Sequence, residues 1–225
     1  MEHELKDTIK KKEEVYLAIK SQIVKMALKP GDVLSDRKLA QEYKVSRTPV
    51  REALTLLLQE GYVLQGRSGG FSVKGINLKE IEDMYNVREA LEVKALKLAY
   101  TNNFEYNLKK LRQLIEVHSV NLKQFNPGNR FLQGADFHRE LVLMSNNDYL
   151  VRIIESIYER LERLHYIENL SREQAEQAHF GHIQIVSLLE KQKYTETEKL
   201  LSNHILTSKD EFINRIKNRF EIIYY

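Results

Sequence analysis

A mostly α-helical fold in two parts is predicted: an N-terminal winged helix-turn-helix with a small β wing over residues 1–74, and a six-helix antiparallel bundle over residues 78–225, joined at 75–77. Three observations predict it. Residues 35–61, SDRKLAQEYKVSRTPVREALTLLLQEG, hold two short helical patterns separated by a three-residue turn. Two β-prone runs joined by a glycine-rich turn follow at once. From residue 78 onward the apolar residues keep helical spacing, and no further strand pattern occurs.

The first helix is expected over about residues 10–27, with Val15, Ile19, Ile23 and Met26 on its inner face, ended by Lys29-Pro30-Gly31. Ser35 is a good N-cap for the second, which places Leu39, Ala40 and Tyr43 on one face before Lys44 and Val45 turn the chain and bury Val45. Ser46 caps the third, where Pro49 sits harmlessly in the first turn and Val50, Ala53, Leu54, Leu57 and Leu58 repeat at i, i+3, i+4, i+7, i+8. Gly61 stops that helix. YVLQ (62–65) and FSVK (71–74), joined by GRSGG (66–70), form the wing.

GIN (75–77) makes the junction, and Asn77 with Glu80 three residues later resembles a capping box opening the bundle. The six bundle helices are expected at about 78–101, 104–125, 129–145, 148–167, 171–192 and 195–222. The breaks fall at Thr101-Asn102-Asn103, Asn126-Pro127-Gly128, Ser145-Asn146-Asn147, Asn169 and Lys193. Asn146 is read as a helix breaker or cap, a structural role.

The outer face of the third helix carries Arg47, Thr48, Arg51 and Thr55, and arginines four residues apart project together. Guanidinium groups bind guanine O6 and N7 bidentately, or phosphate, and a helix N-terminus adds N–H donors aimed at phosphate. Such a pair is also compatible with a solvated helix face; the turn before it and the wing after it favour duplex DNA. Arg67 at the wing tip can reach a groove or a phosphate, and Gly69 and Gly70 let the main chain approach closely. Lys10, Lys11 and Lys12 read as a solvated patch or as neighbours of the DNA backbone.

Composition sets bounds on function. A chain of 225 residues with 42% hydrophobic content can build two cores. With no cysteine, disulfides, thiolate catalysis and cysteine-ligated zinc are excluded, and a reducing compartment is favoured. No signal-like apolar segment opens the chain and no apolar run nears membrane-spanning length, so a cytoplasmic protein without a membrane partner is expected. Residues 1–74 hold 14 Lys+Arg against 10 Asp+Glu, and residues 75–225 hold 21 against 22, so the slight basic surplus lies in the half expected to meet DNA. Gly-rich phosphate loops, GxSxG elbows and HExxH helices do not occur, which argues against an enzyme. His138, His182 and His204 lie on three different expected helices. Unaided, three scattered histidines are more often exposed or hydrogen-bonded than joined on a metal.

LKPGDVLSDRKLAQEYKVSRTPVREALTLLLQEGYV (28–63) closely resembles the DNA-binding domain of GntR-family bacterial transcription regulators. That resemblance implies operator contacts by Arg37, Arg47 and Arg51, with Thr48 and Gly70 assisting. Spacing does not single out Arg37, whose charge near a helix N-terminus opposes the dipole. VREALEVKALKLA (87–99), DFHRELVLMSNNDYL (136–150), GHIQIV (181–186) and NHI (203–205) are similar to segments of the FCD effector domain that defines the FadR subgroup. The resemblance implies a ligand-responsive regulator, acting as a homodimer on a pseudo-palindromic operator, with repression the expected sign. It also implies a divalent metal held by His138, His182 and His204 plus an aspartate four residues before the first.

This chain departs from the pattern there, because Gly134 occupies the aspartate position and Asp136 points to the side. Three neutral imidazoles can still hold Zn²⁺ or Ni²⁺, with water or an effector carboxylate completing the shell, whereas loss of the anionic ligand disfavours Mn²⁺. Gly134 within a helix implies a roomier cavity or a local break. Arg88 is implied as the grip for an organic-acid effector; an i, i+4 ion pair with Glu92 is an equal reading. Rival functions are a metal-independent carboxylate sensor built on Arg88, a constitutive DNA-binding protein whose bundle only dimerises, and a zinc enzyme using the three histidines, for which no general base is evident. Retained metal, the effect of Arg88→Ala on the effector response, and operator affinity with and without effector separate them.

Overall fold

Burial at helical spacing on short segments, joined by turns that need left-handed backbone, produces the first compact unit, Met1–Asn77; the second is Leu78–Ile222. The structure is a computed structural model that describes residues 2–75, 77–102, 104–123, 130–168 and 171–219. Junction residue Ile76 and the expected breaks at Asn103, Asn126-Pro127-Gly128 and Asn169 lie outside the described residues.

In the first unit α1 (Glu2–Val24), α2 (Asp36–Glu42) and α3 (Arg47–Gln59) pack with a three-stranded sheet of β1 (Val33–Leu34), β2 (Val63–Gln65) and β3 (Phe71–Val73). The sheet order is β1-β3-β2, antiparallel throughout, with Leu34 opposite Phe71 and Leu64 opposite Ser72. β1 was not foreseen, because a two-residue strand carries no alternation to read. Val15, Ile19 and Ile23 of α1 meet Val50, Leu54 and Leu57 of α3 in one core with Leu34, Phe71 and Val73. Tyr16 and Lys20 also hydrogen-bond Glu60 at 2.6 and 2.9 Å, tying α1 to the end of α3.

Local chemistry sets the ends of these helices. Helix α1 begins earlier than expected and ends at Val24, because Met26 takes φ 59° and leaves the helical path. Ser35 Oγ accepts from Lys38 N at 3.3 Å, as an N-cap should. Ser46 has cap geometry but makes no side-chain cap bond, which corrects the expectation for α3. Gly61 at φ 76° closes α3 with Tyr62 N bonded to Leu57 O and Gly61 N to Leu58 O, the paired bonds of a left-handed helix stop.

Helices α4 (Leu78–Ala99), α5 (Phe104–Lys123), α6 (Arg130–Leu143), α7 (Asp148–Glu168), α8 (Arg172–Glu190) and α9 (Tyr194–Arg219) form the second unit. Its core includes Ile81, Tyr85, Leu96, Leu108, Phe137, Leu141, Ile154, Ile185, Leu201 and Phe212. Asn146 takes φ 50° between α6 and α7, and the neighbouring Asn147 Oδ1 accepts from Leu150 N at 3.0 Å to start α7. Ser171 and Gln174 make a capping box on α8. Gly134 stands inside a continuous α6.

Candidate functional site

Arg47 and Arg51 project from the first two turns of α3 with side chains 62% and 51% exposed. Both donate to one oxygen of Asp36, the first residue of α2: Arg47 Nη2 at 2.9 Å and Arg51 Nη1 at 3.1 Å from Oδ2. Arg47's hydrogen bond, aided by Arg51, holds the Asp36 carboxyl below its ordinary range. Asp36 therefore orders the two guanidiniums while leaving most of their donors outward. Sequence reading missed this residue; an acidic side chain at the start of the preceding helix was the available signal. Thr48 is exposed beside them, and Thr55 turns back to donate to Arg51 O at 2.8 Å. Arg37 of α2 and Arg67 and Gly70 of the wing are exposed. Gly66 N bonds Gly70 O at 2.9 Å, and Gly69 takes φ 81°, so the wing turn uses its glycine freedom at Gly69.

In the second unit the packing of α6, α8 and α9 brings His138, His182 and His204 together. His182 Nε2 lies 3.2 Å from His138 Nε2 and 3.1 Å from His204 Nε2. Gly181 makes the approach of α9 possible, since a Cβ there would lie 2.7 Å from His204 Nδ1. Phe137 stacks on His182 with ring centroids 4.2 Å apart. Gly181→Ala is expected to displace the His204 ring and weaken Zn²⁺ binding at least about tenfold in a chelator competition, despite the helix propensity gained. Unchanged affinity would show that α8 and α9 yield without moving the ring.

Glu92 of α4 organises this centre. Its Oε2 lies 2.6 Å from His138 Nδ1, and its Oε1 accepts from Arg88 Nε at 2.5 Å and Tyr158 Oη at 2.9 Å. Burial alone would raise the Glu92 carboxyl, but Arg88 and His138 outweigh it and hold it at about 2. As a carboxylate it only accepts, so His138 Nδ1 carries the proton and Nε2 of the neutral ring is a lone pair. Burial lowers His138 and lowers His182 further, and brings His204 to about 3, so all three rings are neutral at pH 7. One imidazole proton cannot satisfy three converging nitrogens. Nitrogens about 2.0–2.1 Å from one tetrahedral ion lie roughly 3.3–3.4 Å apart, close to the spacing found here, and a carboxylate holding the other nitrogen of a ligand histidine is a recurrent metal-site device. The residues present therefore fit a divalent metal.

An ideal Cβ on Gly134 meets no atom of the described residues within 4 Å. Asp136 is exposed, 3.8 Å from Arg139, and is not in the histidine cluster. Arg88 is buried, its guanidinium between the rings of Tyr85 and Tyr158 at 5.5 Å from each. The i, i+4 ion pair with Glu92 anticipated from spacing is present.

Comparison with known proteins places both units. Residues 11–73 match the family model described as bacterial regulatory proteins, gntR family, and residues 83–207 match the FCD domain. The Nta operon transcriptional regulator of Aminobacter aminovorans is 30% identical over 87% of this chain and 91% of its own length. The Gluconate operon transcriptional repressor of Bacillus licheniformis is 27% identical over 89% and 73%. The solved structure of Escherichia coli McbR/YncC shares the fold, with a TM-score of 0.72 at 21% identity over 92% of this chain and 98% of that one. Among the described residues no helix is long and apolar enough to cross a membrane. A winged helix-turn-helix carrying paired arginines, followed by an FCD bundle, makes this chain a member of the GntR family of bacterial transcription regulators, in its FadR subgroup.

Proposed function

We propose that this regulator acts as a homodimeric repressor on a pseudo-palindromic operator and is released by an organic acid bound in the FCD bundle. The convergence of three neutral imidazole nitrogens on one point, with Glu92 fixing the tautomer of His138, carries the effector half of this reading. His138, His182 and His204 would hold Zn²⁺ or Ni²⁺, which supplies a Lewis acid for the effector's carboxylate. Gly134 leaves room on its side of α6 for that carboxylate. Arg88 holds Glu92 in register and offers its other N–H groups to the effector. A relative bearing the name repressor supports the sign. Residues 1–74 would serve as the DNA-binding domain and 78–225 as the effector domain, with the 75–77 junction carrying a coupling of about 1–3 kcal/mol between effector and operator.

Arg37, Arg47, Thr48, Arg51, Arg67 and Gly70 form the proposed operator surface. Two copies of α3 at fixed spacing multiply the few base pairs that one helix reads. Arg47→Ala or Arg51→Ala is expected to reduce discrimination between operator and unrelated DNA by about 1–3 kcal/mol, whereas Lys12→Ala changes affinity little and without sequence preference. Electrophoretic titration at one salt concentration measures both, and undiminished discrimination in the arginine variants would remove α3 as the reading helix.

Metal content is tested on untagged protein purified without chelator, beside His138→Ala/His182→Ala. Near-stoichiometric zinc or nickel that disappears in the double variant is expected. No metal after dialysis against Zn²⁺ or Ni²⁺ would leave Arg88 as the anchor of a metal-independent sensor. Sedimentation analysis of the intact chain tests the dimer, a monomer at micromolar concentration being the adverse result.

A further inference from the structure

His179, one helical turn before His182 on α8, is 9% exposed, yet its Nδ1 is buried with no hydrogen-bond partner among the described residues. Its other nitrogen shows which kind of group is missing. His179 Nε2 lies 2.8 Å from Ser119 Oγ, and Ser119 Oγ lies 2.8 Å from Ile115 O. A carbonyl oxygen only accepts, so the single hydroxyl hydrogen of Ser119 goes to Ile115. Ser119 Oγ must then accept from His179 Nε2–H, and in the neutral imidazole Nδ1 is left as a bare lone pair. A buried acceptor without a donor costs free energy unless a bound group supplies a hydrogen. His118 of α5, 4% exposed, stands edge-on to His179 with ring centroids 6.2 Å apart. His179 and His182 are three residues apart on α8 and both buried, so both side chains lie on its inward side, and His179 is near enough to count among the groups that lower His182.

We propose that His179 Nδ1 is a second effector contact, accepting a hydroxyl hydrogen, so that the effector is a hydroxylated carboxylic acid. This rests on the reading of the three-histidine centre as the carboxylate site and adds to it the polar group at the other end of the ligand. His118 and Ser119 are positioning residues: Ser119 sets the tautomer of His179, and His118 packs against its ring. An amine is a poorer occupant at neutral pH, because its charge would be buried beside neutral imidazoles.

The test uses the full-length protein loaded with Zn²⁺ and pairs of acids differing in one or more hydroxyls: lactate with propionate, malate with succinate, gluconate with hexanoate. Calorimetry gives the affinity of each for the wild type, His179→Leu and His182→Ala. Within at least one pair the hydroxylated member is expected to bind the wild type about tenfold more tightly, a difference typical of satisfying a buried acceptor. His179→Leu should erase that preference while leaving the deoxy partner within about twofold, and His182→Ala should weaken both members together. Imidazole ¹⁵N spectra of the wild type give a second reading that needs no variant: Nδ1 of His179 unprotonated in the free protein, and shifted by the hydroxy acid but not by its partner. Equal affinities within every pair, or a preference that survives His179→Leu, would overturn the proposal and leave the carboxylate site standing. Failure of every acid to bind would overturn the reading of the centre, and this inference with it. A protonated Nδ1 in the free protein would also overturn the proposal.

Discussion

Arg88→Ala is expected to destabilise the protein by about 3–5 kcal/mol at pH 7 in chelator, the cost of stranding a buried charge. Glu92 is fully buried and its partners are Arg88, His138 and Tyr158. Only Arg88 is a cation at neutral pH, since burial lowers the affinity of His138 for a second proton and keeps the Tyr158 phenol protonated. Without the guanidinium, Glu92 must take up a proton or draw one from His138, and either event loosens the tautomer that presents His138 Nε2. The pair itself need not be stabilising, because removing both charges removes both desolvation costs. Arg88→Met/Glu92→Leu should therefore recover much of the lost stability while still losing metal affinity. Urea unfolding of the two variants measures this. A loss below about 1 kcal/mol in Arg88→Ala would mean that Glu92 is already protonated or that water reaches it.

Acid should unfold the metal-free protein well above the ordinary carboxylate range. Burial holds His118 at about 4 and His204 at about 3, whereas in the unfolded chain each titrates near 6.5. The folded pKa values are depressed, so the unfolded state binds more protons between those limits and stability falls as pH is lowered. The loss begins near pH 6.5, grows by up to about 1.4 kcal/mol per unit for each histidine, and ends once pH passes the folded value. These two rings alone amount to a loss on the order of 5 kcal/mol between pH 6.5 and 4. Glu92, held at about 2, adds a second window of the same sign below about 4.5, lost as pH falls toward 2. Urea midpoints at pH 7.5, 5.5 and 4.5 check this, and a flat profile would mean that the histidines are solvated.

What the chain determined alone was whatever depends on near neighbours in sequence. Helical spacing of Val50, Ala53, Leu54 and Leu57, the cap at Ser35, the stop at Gly61 and the apolar runs flanking GRSGG made the first unit legible. The six bundle helices were legible for the same reason. Boundaries slipped where one residue left the helical path, as Met26 did, and β1 escaped because it is only two residues long. The relation of Arg47 to Arg51 was readable because four residues make one turn, but their common tether to Asp36 depends on how α2 meets α3. His138, His182 and His204 stood out by type and through resemblance. Their convergence, Glu92 beneath His138, Gly181 against His204 and the orphaned nitrogen of His179 came only from the packed bundle. Secondary structure follows from torsions and hydrogen bonds within a turn or two; a site joining residues 22 and 44 positions apart follows from which helix faces share a core, and that is settled only when the whole chain packs.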